Sequence, residues 1–244
     1  PGLRDLTLTT NGSLLRNQAR KLKAAGLERI TVSLDSLDDA VFQSMNDSGV
    51  PASVVLDGTE AAREAGLDPI KVNAVVKRGT NDHTIVDLAR HFKGSGVIVR
   101  FIEFMDVGAT NGWRMDHVVP AREIIDRINA DLPIEPVGAN SRGEVARRWR
   151  YRDGGGEIGI ITSISEPFCG DCTRARLSPE GELYTCLFGV RGHDFRALLR
   201  SGATDGELSE FLASVWHVRD DRYSELRTAE TSLLPKVEMS HIGG

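Results

Sequence analysis

The sequence has few cysteines, three in 244 residues, and it lacks a long apolar run. No hydrophobic segment approaches the ~18 residues that a membrane-spanning helix needs, so we expect no transmembrane segment. An odd number of cysteines fits a disulfide framework poorly, and the first residues lack the pattern of a signal peptide. We therefore expect a cytoplasmic chain with reduced thiols and no membrane partner.

A strong charge of one sign is also lacking, because 30 Lys and Arg face 35 Asp and Glu for a net charge of −5. No window concentrates basic residues, so a nucleic-acid partner is not expected. The hydrophobic share of 40% suffices for one large domain or two small ones. The chain starts at Pro1 and enters strand-like sequence at once, so we expect the interior of a longer protein.

The first half of the sequence alternates short apolar strands with helical stretches. Four strands are predicted, each followed by a helix, at 6–10, 29–34, 70–76 and 97–104. This alternation predicts βα units on a parallel sheet, either open or closed into a barrel. Polar residues cluster where the strands end, which is where both architectures place ligands. For any one of these residues, an ordinary loop position is an equally good interpretation.

The alternation stops after Leu132. Hairpins are predicted around three consecutive glycines at 147–161 and around Pro179-Glu180-Gly181 at 174–185, followed by two helices. The predicted domains are therefore a partial βα domain at 1–131 and a smaller domain of mixed hairpins and helices at 132–244.

All three cysteines fall within eighteen residues. Cys169 and Cys172 form a C-x2-C step, and Cys186 ends the second predicted hairpin. This spacing favours one metal centre over three buried structural cysteines. Spacing alone supports two centres equally: zinc, whose fourth ligand would be His193, His217 or His241, and a [4Fe–4S] cluster with one iron free for a substrate.

Several segments carry a resemblance to a known family, and the cysteine segment with its Arg-Ala-Arg is the most specific. They are TTNG at 9–12, ITVSLDS at 30–36, KVN at 71–73, VKRG at 76–79, RFIEFMDVG at 100–108, PFCGDCTRARL at 167–177, YTCLF at 184–188 and MSHIGG at 239–244. Over essentially its whole length the chain resembles the GTP 3′,8-cyclases, radical S-adenosylmethionine (SAM) enzymes that begin molybdenum cofactor biosynthesis.

The resemblance implies an α/β fold: the last four βα units of a (β/α)6 radical SAM barrel, followed by a C-terminal iron–sulfur domain. It implies a second [4Fe–4S] cluster held by Cys169, Cys172 and Cys186. It implies GTP contacts from Thr10, Lys71, Arg100, Arg174, Ala175 and Arg176, and SAM contacts from Asn11, Ser33 and Met105. Direct catalytic roles fall to Arg174, Arg176, Gly243 and Gly244, the two glycines by reaching towards the active site.

One departure from the family pattern concerns the SAM cluster. The family's CxxxCxxC loop and its GGEP-type segment are absent from these 244 residues, whose four predicted strands match the last four of six. The resemblance therefore implies that the SAM-binding [4Fe–4S] cluster belongs to a longer protein. We expect the 244-residue chain alone to be unable to cleave SAM.

The implied reaction is the radical cyclisation of GTP to 3′,8-cyclo-7,8-dihydro-GTP. A 5′-deoxyadenosyl radical derived from SAM removes the 3′ hydrogen, and the ribose radical attacks C8 of guanine. The implied partners are GTP, SAM, a downstream cyclic pyranopterin monophosphate synthase and a second copy of the chain in a homodimer.

Two other functions stay open at this point: a fragment of a radical SAM peptide-modifying enzyme, and a zinc-stabilised binding domain without enzymatic activity. Single residues also have structural interpretations. Lys71 could improve solubility at a strand edge, Met105 could fill the core, and Arg176 could pair with Glu182 across a hairpin.

Overall fold

The computed structural model describes residues 2–3, 5–46, 49–141, 143–228, 235–239 and 241–242. Contacts divide the chain into two units. The first is Pro1–Phe104 with Met115–Glu166, and the second is Met105–Arg114 with Pro167–Gly244. Among the described residues, no helix has the length and apolar character needed to cross a membrane.

A seven-stranded sheet forms the centre of the first unit. Its strands are β1 Thr7–Thr10, β2 Arg29–Ser33, β3 Ile70–Val76, β4 Ile98–Glu103, β5 Ile134–Val137, β6 Arg147–Tyr151 and β7 Glu157–Ile161. They lie in the order β1-β2-β3-β4-β7-β6-β5. Neighbours from β1 to β4, and β4 with β7, are parallel, whereas β6 is antiparallel to both β7 and β5. The predicted series of four parallel βα units is confirmed.

The helices of the first unit follow the predicted alternation. They are α1 Leu15–Ala24, α2 Asp39–Met45, α3 Ala52–Glu64, α4 Ile85–Phe92 and α5 Ala121–Asp131. In α4 the buried residues are Ile85, Leu88, Ala89 and Phe92, the spacing of one apolar helix face. Helix α1 ends as predicted at Gly26, whose positive φ of 96° closes the last turn and lets the Leu27 amide donate to the Leu22 carbonyl.

The hairpin at 147–161 belongs to this first unit. Strand β7 is almost wholly buried, and it pairs in parallel with β4. A continuous apolar strand is best accommodated inside a sheet, so it extends the sheet instead of starting a separate layer. The contact units therefore divide the chain differently from the boundary expected between residues 131 and 132, which stays a prediction.

Glu103 at the end of β4 is a fully buried carboxylate held by backbone amides. It accepts hydrogen bonds from the amides of Ala121 at 2.7 Å, Ile164 at 2.7 Å and Ser165 at 2.8 Å, and from the Ser165 hydroxyl. The carboxylate thus ties the end of β4 to the first residue of α5 and to the loop that follows β7.

Replacing Glu103 should destabilise this unit strongly. In Glu103→Ala three amides lose their acceptor, and an unsatisfied buried donor costs about 1–3 kcal/mol. We expect urea denaturation to show a loss of about 3–5 kcal/mol in the free energy of unfolding, since the orphaned amides share one site. Glu64→Ala, on an exposed carboxylate of α3, is the control. A Glu103→Ala loss no larger than that of the control would contradict this role.

The second unit contains a small antiparallel sheet and two helices. The strands are β8 Arg176–Leu177, β9 Glu182–Tyr184 and β10 His193–Asp194, in the order β10-β9-β8, and the helices are α6 Phe195–Arg200 and α7 Asp205–His217. Helix α7 begins with a capping box in which Thr204 and Glu207 satisfy each other's amides. The second predicted hairpin is confirmed as β8 and β9, with narrower bounds.

Candidate functional site

One face of the parallel sheet in the first unit is polar. Because side chains alternate along a strand, the register places Thr31 beside Lys71 and Asn73 beside Arg100 on the same face. The intervening residues, such as Val72 and Val99, are buried on the other face. Parallel sheets usually bury apolar residues on both faces, so a polar row across three strands marks a candidate ligand surface.

The hydrogen bonds of the Arg100 side chain go to two neutral oxygens on this face, whereas Arg29 on the same face pairs with Asp5. Arg100 Nε donates to Asn73 Oδ1 at 2.8 Å, and Nη2 donates to Thr31 Oγ1 at 3.2 Å, so both acceptors are neutral. The Arg100 stem crosses Gly159, where an added Cβ would lie 3.0 Å from Arg100 Cγ. The guanidinium is thus held in place by neutral hydrogen-bond partners, with Glu144 as a nearby negative charge.

The pKa values on this face record the repulsion between these cations. Burial lowers the pKa of Lys71, and the nearby charges of Arg100 and Arg29 lower it further. Burial, and then the charge of Arg29, lowers the pKa of Arg100. A bound anion would relieve this repulsion, so the face is electrostatically suited to a phosphate group.

Of the residues predicted for this region, Ser33, Lys71 and Arg100 share the polar face, whereas Thr10 does not. Thr10 is in register with buried Val32, and its hydroxyl accepts the Gly12 amide at 3.1 Å. A GTP contact from Thr10 stays a prediction, as does the role of Asn11 beside SAM. The Asn11 side chain accepts from the amide and hydroxyl of Ser13 at 3.1 and 2.9 Å.

Thr31 and Asn73 are site residues that sequence reasoning missed. Both could have been predicted from the sequence, because each lies two residues from a predicted site residue on the same strand. Thr31 lies two residues before Ser33, and Asn73 lies two residues after Lys71.

A second set of predicted residues, the three cysteines, lies in the second unit. All three are free and half-buried. Cys169 and Cys172 lie at the two ends of one tight turn, in which the Cys172 amide donates to the Cys169 carbonyl at 3.2 Å. The Cys172 sulfur accepts a hydrogen bond from Arg174 Nη2 at 3.2 Å, and the Cys186 sulfur accepts one from the Phe188 amide at 3.4 Å. Such bonds stabilise thiolates and tune iron–sulfur clusters.

Electrostatic interactions link the cysteine thiols with Arg174 and Arg176. Burial opposes ionisation of Cys172, but hydrogen bonds and charge from Arg174 outweigh it and lower the thiol pKa. Burial raises the pKa of Cys186, and the neighbouring charges of Asp221, Cys169 and Cys172 raise it further. Arg176 is itself buried near Arg174, and both effects lower its pKa.

The chemistry of three thiols fits an iron–sulfur cluster, for which cysteine thiolates are the usual protein ligands. Within the described ranges, no three His, Cys, Asp or Glu side chains converge as ligands of one ion. His241, one of the candidate fourth ligands, lies 3.3 Å from Glu180 instead. In a cluster each thiolate binds a different iron, so the sulfurs need not meet at one point.

The remaining predicted residues lie in the second unit or outside the described residues. Arg174 and Arg176 are half-buried, whereas Ala175 between them is exposed. The Arg174 guanidinium lies 5.1 Å from the centre of the Phe168 ring. Glu182, the alternative partner for Arg176 across the hairpin, accepts from the Tyr184 hydroxyl at 2.9 Å. Gly243 and Gly244 lie outside the described residues.

Comparison with known proteins decides the family. The radical SAM superfamily model matches residues 1–92, and the Molybdenum Cofactor Synthesis C model matches residues 97–225. A GTP 3′,8-cyclase from Acidothermus cellulolyticus is 51% identical, with all of this chain and 74% of that protein aligned. The chain belongs to the GTP 3′,8-cyclase family.

Other relatives agree with this assignment. A GTP 3′,8-cyclase from Xanthomonas campestris is 49% identical, with all of this chain and 71% of the relative covered. Among solved structures, a radical SAM methyltransferase from Sphaerobacter thermophilus aligns with 51% of this chain and 36% of its own, at 21% identity and a TM-score of 0.41. That structural likeness is too weak to add to the family assignment.

Membership of this family confirms the resemblance and the α/β fold with a partial radical SAM barrel. Because the family belongs to the radical SAM superfamily, a [4Fe–4S] cluster and SAM are its implied cofactors. The family models also separate this chain from the two competing assignments, since the match over 97–225 is to a molybdenum cofactor synthesis domain.

Arg219 is a further residue of the cysteine site in this GTP 3′,8-cyclase family member. Its Nε donates to the Thr185 carbonyl at 3.3 Å and its Nη1 to the Cys172 carbonyl at 3.4 Å. Its partner Asp221, 3.3 Å away, accepts the Thr185 hydroxyl at 2.5 Å. The pair therefore braces both cysteine-bearing segments. No sequence signal pointed to Arg219, because it lies far along the chain from both.

Met105 and Asp106 belong to the segment of the second unit that follows β4 in sequence. Met105 is half-buried, and its carbonyl accepts the Asn111 side chain at 2.9 Å. The Asp106 side chain is buried and accepts from Tyr223 at 2.6 Å and from Lys236 at 2.9 Å. Burial opposes ionisation of Asp106, but hydrogen bonds from Tyr223 and Lys236 and the charge of Arg227 lower its pKa. Met105, the residue predicted to contact SAM, is thus followed directly by Asp106, which several side chains hold in place.

Proposed function

We propose that this chain binds GTP at a C-terminal [4Fe–4S] cluster and takes part in the cyclisation of GTP to 3′,8-cyclo-7,8-dihydro-GTP, the first step of molybdenum cofactor biosynthesis. The proposal rests on the hydrogen bond from Arg174 Nη2 to Cys172 Sγ at 3.2 Å, in a segment where Arg176 begins β8 and Cys186 follows the end of β9. Thiolates suit iron, and guanidinium groups suit phosphates and guanine acceptors.

The cofactors supply the radical chemistry that joins C3′ of the ribose to C8 of guanine. The protein's own residues bind and orient. Cys169, Cys172 and Cys186 would each bind one iron, which leaves a fourth iron for the nucleotide. Arg174 and Arg176 would contact GTP beside the cluster, where a fixed fork geometry restricts how the nucleotide lies.

The polar face of the first unit carries a further set of candidate binding groups. Lys71 and Arg100 would bind an anionic part of GTP, because burial and the repulsion between neighbouring cations lower the pKa of both groups and an anion would relieve that repulsion. Ser33 and Met105 would contact SAM, as the family resemblance implies. A homodimer, and transfer of the product to a cyclic pyranopterin monophosphate synthase, stay predictions.

Product analysis tests the function. Fused behind a family barrel segment that carries CxxxCxxC, the chain is expected to convert GTP and SAM into the cyclised nucleotide and 5′-deoxyadenosine. Deleting Gly243 and Gly244 should leave both clusters intact but strongly reduce cyclisation, because a segment without side chains can enter a narrow site.

The matched control for the deletion is a fusion that keeps both glycines and carries Ser201→Ala, a change at an exposed position. A wild-type cyclisation rate after the deletion would contradict a catalytic role for the two glycines and leave them as an ordinary chain end. Absence of cyclised nucleotide from the unmodified fusion, with both clusters present, would contradict the function itself.

A further inference from the structure

The C-terminal segment 235–242 is held against the Met105–Arg114 segment inside the second unit, in its described part. Lys236 Nζ lies 2.9 Å from Asp106 Oδ2. Two residues further on, Glu238 Oε1 accepts the Ala109 amide at 2.8 Å, and Glu238 Oε2 lies 3.4 Å from the Thr110 hydroxyl. Contacts to three residues of one segment therefore fix the path of the tail.

Gly108 makes the approach of Glu238 possible. Its φ is +69°, a conformation that side-chain-bearing residues rarely adopt, and a Cβ added there would lie 2.8 Å from the carboxyl carbon of Glu238. The glycine is therefore needed twice over, for its backbone conformation and for the space that the carboxylate occupies.

The ion pair beside it is shielded from water. The side chains of Lys236 and Asp106 are 5% and 1% exposed. Asp106 also pairs with Arg227 at 2.9 Å, so Lys236 is one of two buried cations that hold this carboxylate. The pair and the Glu238 contact lie two residues apart on the tail, so they restrain it together.

Beyond these contacts the tail reaches the hairpin that carries Arg176. His241 Nε2 lies 3.3 Å from the Glu180 carboxylate in the turn between β8 and β9. The next residue, Ile242, is fully buried. The segment that starts with Met105 and the hairpin that starts with Arg176 are thus bridged by one stretch of chain.

We propose that Asp106, Gly108, Lys236 and Glu238 form a latch, the tail latch, that seats the C-terminal tail and couples it to the GTP-binding hairpin. The latch rests on the contacts above, whereas the coupling to GTP rests on the proposed function. Glu238 is here a positioning residue, since it acts by placing the tail.

Coupling has a reciprocal consequence. If the latched tail favours GTP binding by some factor, bound GTP must favour the latched tail by the same factor. GTP should therefore protect the tail, and variants that open the latch should bind GTP more weakly.

Limited trypsin digestion of the cluster-loaded chain tests the latch, because Lys236 is a cleavage site only when its side chain is free. The readout is release of the octapeptide 237–244 by mass spectrometry. We expect Glu238→Ala and Gly108→Ala to release it at least about tenfold faster than wild type, since each removes or displaces a charge-assisted contact. Saturating GTP should slow release from the wild-type chain.

Two further variants separate a latch from general damage. Glu238→Gln keeps a neutral acceptor for the Ala109 amide, so it should release the octapeptide more slowly than Glu238→Ala does. Glu210→Ala, on an exposed carboxylate of α7, should change nothing. Adding Gly108→Ala to Glu238→Ala should speed release by less than it does alone, because the carboxylate that it displaces is then absent. Unchanged cluster absorption confirms that the variants fold.

The outcomes are distinct for the latch, its coupling and the proposed function. The latch would be overturned if both Glu238→Ala and Gly108→Ala released the octapeptide at the wild-type rate. Fast release with unchanged GTP affinity by calorimetry would overturn the coupling. Failure of the wild-type chain to bind GTP would overturn the proposed function, while octapeptide release would still report on the latch.

Discussion

Cys172→Ala is expected to remove the iron–sulfur cluster from this chain completely. The chain has only three cysteines, and a [4Fe–4S] cluster held by three thiolates has no spare protein ligand. Anaerobic reconstitution of the wild-type chain should give about four irons and four sulfides per chain, as one [4Fe–4S] cluster requires. The variant should give neither, and its brown absorption should be absent.

Thr173→Ala is the matched control, because Thr173 is exposed and adjacent. It should retain the full cluster. Stoichiometric zinc with almost no iron in anaerobically prepared wild-type protein would contradict the cluster assignment, and so would a full cluster in Cys172→Ala.

Arg176→Ala is expected to weaken GTP binding by about 10-fold to 150-fold, since a hydrogen bond to a charged group contributes about 1.5–3 kcal/mol. Arg174→Ala should weaken binding by a similar factor. It should also remove the hydrogen bond from Arg174 to the Cys172 sulfur. Isothermal titration calorimetry of the cluster-loaded variants measures the affinities, and the cluster absorption of Arg176→Ala should persist.

Arg200→Ala provides the control for the loss of one positive charge, since Arg200 is exposed at the end of α6. Its GTP affinity should match that of the wild-type chain. The assignment of the two arginines fails if both Arg174→Ala and Arg176→Ala bind GTP as the wild type does.

Much of the fold could be predicted because it is encoded locally. The strand at 70–76 is observed at Ile70–Val76, and the helix stop at Gly26 needs a positive φ that glycine adopts readily. Short pairings were missed, because two residues such as His193–Asp194 have no detectable period and depend on β9 for their strand character.

The residues of the candidate site likewise fall into those that the sequence could predict and those that it could not. The cysteine step is visible as spacing, and Thr31 and Asn73 follow from the alternation of strands that were already predicted. Arg219 and Glu238 could not be found, because each acts on a segment far away in sequence. Such contacts are set by tertiary packing, which periodicity does not record.

The central claim is that GTP and the C-terminal cluster share one site. Its most direct measurement is a GTP titration of the reduced, cluster-loaded chain followed by electron paramagnetic resonance. GTP is expected to change the cluster spectrum with the same Kd that calorimetry gives, and Arg176→Ala is expected to move both curves to higher GTP concentration. A cluster spectrum that stays unchanged while GTP saturates the protein would contradict this claim.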